Sequence, residues 1–158
     1  MDEGNDPEAK IICEKYGIKH FSRKGVEKYN TPEGPYKTKT KGGNYNAWFD
    51  QYGGLYDFVA QLDVDFVPKI DYLTKTLGYF SDPKVAFVGT PQVYGNTVDS
   101  WIARGAAEQA YNFYGSMQKG LFGSDMTLFI GANHVLREAA HNDIEGYSGH
   151  MLKTILRV

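Results

Sequence analysis

The sequence predicts an α/β protein, a layered sheet with helices against it, on three observations. Short apolar runs of strand character alternate with longer segments of helical period. No linker, internal repeat or low-complexity tract divides the 158 residues, a length that suits one domain. With 42% hydrophobic residues against 23% charged, the chain has the apolar content to build a core rather than the composition of a disordered segment.

The elements follow in order. Asn5-Asp6-Pro7-Glu8 combines capping side chains, a proline suited to a first turn and an acid near the positive end of the dipole, so a helix should begin there. Ala9, Ile12, Cys13 and Tyr16 share its apolar face, and Gly17 should end it. Ile18 to Phe21 reads as a short strand. From Ser22 to Gly43 periodicity disappears in a run of Lys, Thr, Gly and Pro, which predicts a long loop of the kind that is often functional. A short helix is expected over 44–52, and a strand over Tyr56 to Leu62, running into Asp63-Val64-Asp65 and stopped by Pro68. Ile70 to Phe80 suits a helix, and Val85 to Val88 a buried strand. Trp101 to Met117, free of proline, is the longest helical candidate. Met126 to Ile130 reads as another apolar strand, and Arg137 to Asp143 as a short helix.

Composition excludes several functions. With 17 basic and 19 acidic residues the chain is not the strongly basic protein that nucleic-acid binding usually requires, so no nucleic-acid partner is expected. One cysteine, Cys13, forbids an intrachain disulfide framework and fits a reducing, cytoplasmic setting. No stretch approaches the roughly 20 apolar residues of a membrane span, and the acidic start does not read as a signal peptide. Pro68 occupies the place where an EF-hand starting at Asp63 needs glycine. No Gly-Lys-Ser/Thr triplet stands at Walker spacing, and His134 and His141 lack the spacing of a helical zinc pair.

Two features carry chemistry. Asp63 and Asp65 lie two apart, which on a strand puts both carboxylates on one face, at the strand end where open α/β sheets bind ligands. Hard oxygen donors so placed suit Mg²⁺ or Mn²⁺ alongside substrate phosphates; the alternative is a pair of solvated acids. The second feature is Lys41-Gly42-Gly43-Asn44, where glycines permit close backbone approach, helix N–H groups follow and a lysine supplies point charge for a phosphate. An ordinary solvated loop is the other reading of that segment.

In sequence order the motifs resemble those of the processive family-two glycosyltransferases, the cellulose-synthase-like and hyaluronan-synthase-like group with a GT-A fold. Asp2-Glu3-Gly4 resembles the family's Asp-Asp-Gly turn, and Lys41-Gly42-Gly43-Asn44-Tyr45-Asn46 its Lys-Ala-Gly-Asn-x-Asn segment. Gln61 to Pro68 resembles the metal-binding Asp-x-Asp strand end. Val88-Gly89-Thr90-Pro91-Gln92 is similar to the Val-Gln-Thr-Pro-Gln segment, and Phe129 to Arg137 to the acceptor-side Gly-x-Asn-x-x-x-Arg motif. The resemblance runs from residue 2 to about Gly149.

It implies a GT-A, Rossmann-like mixed sheet flanked by helices, and inverting transfer of a sugar from a UDP-sugar donor to a glycan acceptor. Asp63 and Asp65 would hold Mg²⁺ or Mn²⁺, Asp2 would touch the nucleoside, and Lys41 would approach the nucleotide or its phosphates. Gln92, Asn133 and Arg137 would line the sugar and acceptor side. Departures from the pattern imply an incomplete domain. The strand-helix unit that normally precedes the Asp-Asp-Gly turn is absent, and Ile144 to His150 passes to Met151 without the Thr-Glu-Asp that carries the general base. Asp143 or Glu145 would be the substitutes. Membrane association would come only through segments absent from this chain: by itself it would be cytoplasmic, and as part of a longer protein it would lie at the cytoplasmic face of the membrane. The alternative is a non-catalytic remnant of the fold that retains nucleotide or partner binding.

Overall fold

The computed structural model describes residues 1–124 and 126–143, the side chains of Asn142 and Asp143 excepted. The described residues divide into two compact units: Met1–Asp57 with residues 141–143, and Phe58–Ala140.

In the first unit α1 (Pro7–Lys15) starts as its sequence dictates. The Asp6 side chain accepts from the Glu8 N–H, and Pro7 takes the first turn. Gly17, at φ 65°, closes the helix in the left-handed region, which lets the Ile18 N–H reach the Cys13 carbonyl at 2.8 Å. No residue of α1 is fully buried; on its expected apolar face Ala9 and Cys13 are half-buried while Ile12 and Tyr16 stay exposed. Ile18 to Phe21 is not a strand: no ladder forms there, and the Phe21 carbonyl instead accepts from the Asp2 N–H.

The long loop is real but highly organised. It contains a 3₁₀ turn at Glu27–Tyr29 and a bridge between Thr31 and Lys37. Arg23, withdrawn from solvent, holds it together: Nη1 donates to the carbonyls of Tyr29, Tyr36 and Lys37, and Nη2 to that of Thr40. The loop ends where Thr40 caps α2 (Lys41–Tyr52), its hydroxyl accepting from the Gly43 N–H and donating to the Lys37 carbonyl. The helix thus begins three residues before its expected start. Its first turn is pressed against Arg23, and its later residue Phe49 stacks on His141 at 3.8 Å between ring centroids.

The second unit carries the sheet. Strand β1 (Phe58–Gln61) leads through α3 (Tyr72–Leu77) to β2 (Phe87–Gly89), and β3 (His134–Arg137) lies between them, antiparallel to both. β1 and β2 therefore run in the same direction without touching. Alternating strands and helices agree with an α/β protein, but the expected mixed sheet is not what forms among the described residues, where every strand pairing is antiparallel. Helix α4 (Trp101–Asn112) is capped by Ser100, whose side chain accepts from the Ala103 N–H. It passes through a π-helical turn, Phe113–Met117, into α5 (Gln118–Phe122). The last element among the described residues is α6 (Glu138–Asp143).

The central strand is His134–Arg137, not the apolar run Met126–Ile130. Side-chain competition explains the difference. Gln118 on α5 donates to the Leu128 carbonyl at 3.1 Å and accepts from the Leu128 N–H at 3.2 Å, so one amide occupies the groups a ladder would need. Val135, fully buried, packs with Phe80 and Val85, against which Phe58, Tyr72 and Val88 close. Burying a valine of this kind stabilises by about 1.5–3 kcal/mol.

Candidate functional site

Register places three segments at one end of the sheet. His134, the first residue of β3, is paired with Gln61, the last of β1, and with Gly89, the last of β2. The turn holding Asp63 and Asp65, the segment from Thr90 to Gln92, and the loop from Gly131 to Asn133 therefore all leave the sheet at the carboxyl ends of β1 and β2. The Gln61 side chain, buried, donates to the Gly131 carbonyl and ties the first of these segments to the third.

Asp63 and Asp65 do not sit on the strand itself. β1 ends at Gln61, and a turn follows, closed by the Phe66 N–H donating to the Asp63 carbonyl at 3.0 Å. Asp63 is half-buried and Asp65 exposed. Among the described residues no group of three or more His, Cys, Asp or Glu side chains could hold a metal ion. Two carboxylates in one turn still fit a Mg²⁺- or Mn²⁺-type ion, which accepts few protein oxygens and completes its shell with water and phosphate.

The second and third segments are joined by hydrogen bonds. Asn133 is 5% exposed, yet its backbone lies in the left-handed region at φ 50°. Its carbonyl accepts from the Thr90 N–H at 2.9 Å and the Thr90 hydroxyl at 2.8 Å, while its own amide donates to the Thr90 carbonyl. Gln92 Nε2 donates to Asn133 Oδ1 at 3.0 Å. Tyr114 faces the same groups: burial raises its phenol above the ordinary range, opposed by the side chains of Asn133 and Gln92, with Tyr94 adding to the rise.

Arg137 is committed to the fold. Its Nε donates to the Val85 carbonyl, its Nη2 to those of Phe80 and Asp82, and its guanidinium lies over the rings of Phe58 and Phe80 at 5.2 and 5.4 Å. Asp2 and Lys41 belong to the first unit. Both Asp2 carboxylate oxygens are engaged, Oδ1 by the Gly4 N–H, Oδ2 by the Asp6 N–H and His20 Nε2. The His20 bond, followed by the Asp6 N–H, holds the Asp2 carboxyl below its usual range. Lys41 stands exposed in the first turn of α2 with Nζ 5.8 Å from the Tyr45 ring centroid. Glu145 and the Asp143 side chain lie outside the described residues.

Sequence reasoning passed over Tyr114 and gave Thr90, though part of a quoted motif, no role of its own. Tyr114 reads as one residue of a long helix, and no local signal marks the π turn that carries it. His134, which lacked the spacing of a helical zinc ligand, is buried, with Nδ1 3.4 Å from the Ala132 carbonyl.

The chain matches no protein-family model. It is 27% identical over 153 residues to cellulose synthase 1 of Komagataeibacter xylinus, an alignment covering 94% of this chain and 9% of that protein. It is 34% identical over 113 residues to a UDP-forming cellulose synthase catalytic subunit of Dictyostelium discoideum, covering 67% of this chain and 10% of the other. With a probable glucomannan 4-beta-mannosyltransferase 2 of Oryza sativa it shares 30% identity over 153 residues, 93% of this chain and 26% of the relative. The chain thus spans between about a tenth and about a quarter of these relatives' length. Over most of its own length it is similar to cellulose synthase catalytic subunits and glucomannan mannosyltransferases, which are glycosyltransferases by name.

Proposed function

We propose that the chain is part of an inverting glycosyltransferase catalytic domain that uses a UDP-sugar and a divalent cation. The observation carrying this reading is the assembly at one end of the sheet: a turn with two carboxylates, and beside it the carboxamides of Gln92 and Asn133 in mutual contact. Similarity to cellulose synthases, the Dictyostelium discoideum subunit among them UDP-forming by name, supports it.

In this reading Asp63 and Asp65 hold Mg²⁺ or Mn²⁺, which supplies Lewis-acid stabilisation to the departing diphosphate. Gln92 and Asn133 orient sugar hydroxyls, each carboxamide offering donors and acceptors. The bond between the sugar's anomeric carbon and the UDP oxygen breaks as the acceptor hydroxyl oxygen attacks from the opposite face, and a base takes that hydroxyl's proton.

Titration of the chain with UDP, with and without Mn²⁺, tests the reading. Metal-dependent binding that is lost in Asp63→Ala and Asp65→Ala is expected. Binding indifferent to both the metal and the Asp65 side chain would overturn it. Binding of UDP without hydrolysis or transfer of UDP-glucose would favour a non-catalytic, nucleotide-binding remnant instead.

A further inference from the structure

Two backbone irregularities of the second unit converge on one cluster. The first is the left-handed backbone of Asn133, a conformation uncommon outside glycine that asparagine adopts more readily than most residues and that here sits at a buried position. It turns the asparagine toward Thr90 and Gln92. The second is the π-helical turn Phe113–Met117, which interrupts the helical run from α4 to α5. Such turns are uncommon and collect at functional sites, because an extra residue per turn re-aims the side chains it carries. Tyr114 lies within that turn, half-buried, and faces Asn133 and Gln92.

The chemistry of the cluster is uniform. Gln92, Asn133, Tyr94, Tyr114 and Thr90 carry no charge, and each side chain both donates and accepts hydrogen bonds. That composition matches a ligand made of hydroxyl groups and offers no cationic side chain to an anion. Aromatic rings add apolar faces of the kind sugar C–H groups cover.

We propose that Tyr114 is a sugar-contacting residue: set beside the Gln92 and Asn133 carboxamides by the π turn, its hydroxyl bonds a pyranose hydroxyl of the donor sugar or of the acceptor glycan. This rests on the glycosyltransferase reading and adds to it a residue that determines which sugar is held. The phenol ring keeps its place through packing, so removing only its oxygen should leave the fold intact.

The test is calorimetric titration of the unaltered chain and of Tyr114→Phe with three probes: UDP, UDP-glucose and cellotetraose, the first two with Mn²⁺. Loss of one neutral hydrogen bond predicts a roughly fivefold weaker affinity for a sugar-bearing probe, with UDP affinity unchanged. A loss confined to cellotetraose assigns the contact to the acceptor. A loss for UDP-glucose but not UDP assigns it to the donor sugar. Equal affinities of the two proteins for every probe overturn the inference and leave the glycosyltransferase reading standing, as does an equal loss for UDP, which marks a structural role. An unaltered chain that binds none of the three overturns both. Should Tyr114→Phe unfold, a 3-fluoro label on the Tyr114 ring of the otherwise unaltered chain reports the same contact. Its resonance must shift on adding cellotetraose or UDP-glucose beyond any shift produced by UDP, and a resonance that does not move overturns the inference.

Discussion

Arg23, fully withdrawn from solvent, grips a single oxygen of the half-exposed Glu3, with Nε at 2.8 Å and Nη2 at 2.6 Å from Oε1. The same guanidinium donates to four loop carbonyls, so the pair anchors the segment between Ser22 and α2. A planar group with five donors can do this; an ammonium cannot. Arg23→Met strands those carbonyls and should destabilise the first unit by about 3–5 kcal/mol. Glu3→Gln, which keeps an acceptor near water, should cost far less. Urea unfolding followed by Trp48 fluorescence, in a Trp101→Phe background, reads the difference in the unit that contains Trp48.

Gly43 predicts a second, opposite pair of outcomes. A Cβ there would lie 2.3 Å from the Lys37 carbonyl oxygen, 2.6 Å from Arg23 Nη1 and 2.9 Å from Thr40 Oγ1. Gly43→Ala should therefore destabilise by roughly 1–3 kcal/mol despite alanine's helix propensity. Gly105, within α4, has nothing within 4 Å of the same atom, so Gly105→Ala should stabilise by about 0.5–1 kcal/mol. Thermal or urea midpoints moving in the same direction for both substitutions would refute this account.

These two glycines show where the sequence was legible and where it was not. Asp6-Pro7 announced α1 because capping is local chemistry. The loop ending at Gly43 was recognised by its composition, but its organiser, Arg23, was not, since its partners sit up to 20 residues away. Met126 to Ile130 has the apolar character of a strand, but the amide of Gln118 on a neighbouring helix takes both backbone groups of its middle residue, Leu128. The strand that does form, His134–Arg137, begins at a buried histidine and ends at an arginine, a pattern no periodicity rule selects. Gln92 and Asn133 were singled out only through motif resemblance. Their contact depends on β3 pairing with β2 so that Gly89 lies opposite His134, which no short segment encodes.

Asp2 makes a prediction about acid. Its folded carboxyl lies below the reference value of 3.8, chiefly through the His20 bond and then the Asp6 N–H. A depressed carboxyl binds protons less readily folded than unfolded, so its contribution is complete above the unfolded value and fades as pH falls through the folded one. Asp50, held down by Lys28 and Tyr29, acts in the same direction. Urea midpoints of the unaltered chain should therefore drop as pH falls below the reference value of 3.8, and the drop should be shallower in Asp2→Asn. An equally steep drop in that variant would show that the turn does not depend on the ionised carboxylate.

Arg137 separates a fold role from a contact with the acceptor. Its guanidinium donates to three carbonyls between Phe80 and Val85 and lies over two rings, which ties the far end of β3 to the approach to β2. Phe58, one of those rings, is its direct ladder partner, so backbone pairing and side-chain stacking reinforce each other at this corner. Asn133, by contrast, stands at the opposite end of the strand, just before His134. Arg137→Lys keeps the charge but loses the planar fork, and should destabilise the chain by about 2–4 kcal/mol through unpaired carbonyls and weaker stacking. At temperatures where the variant remains folded, its affinity for cellotetraose should equal that of the unaltered chain, whereas Asn133→Ala should weaken it. A glycan affinity that falls in Arg137→Lys without any fall in stability would return the arginine to the acceptor side.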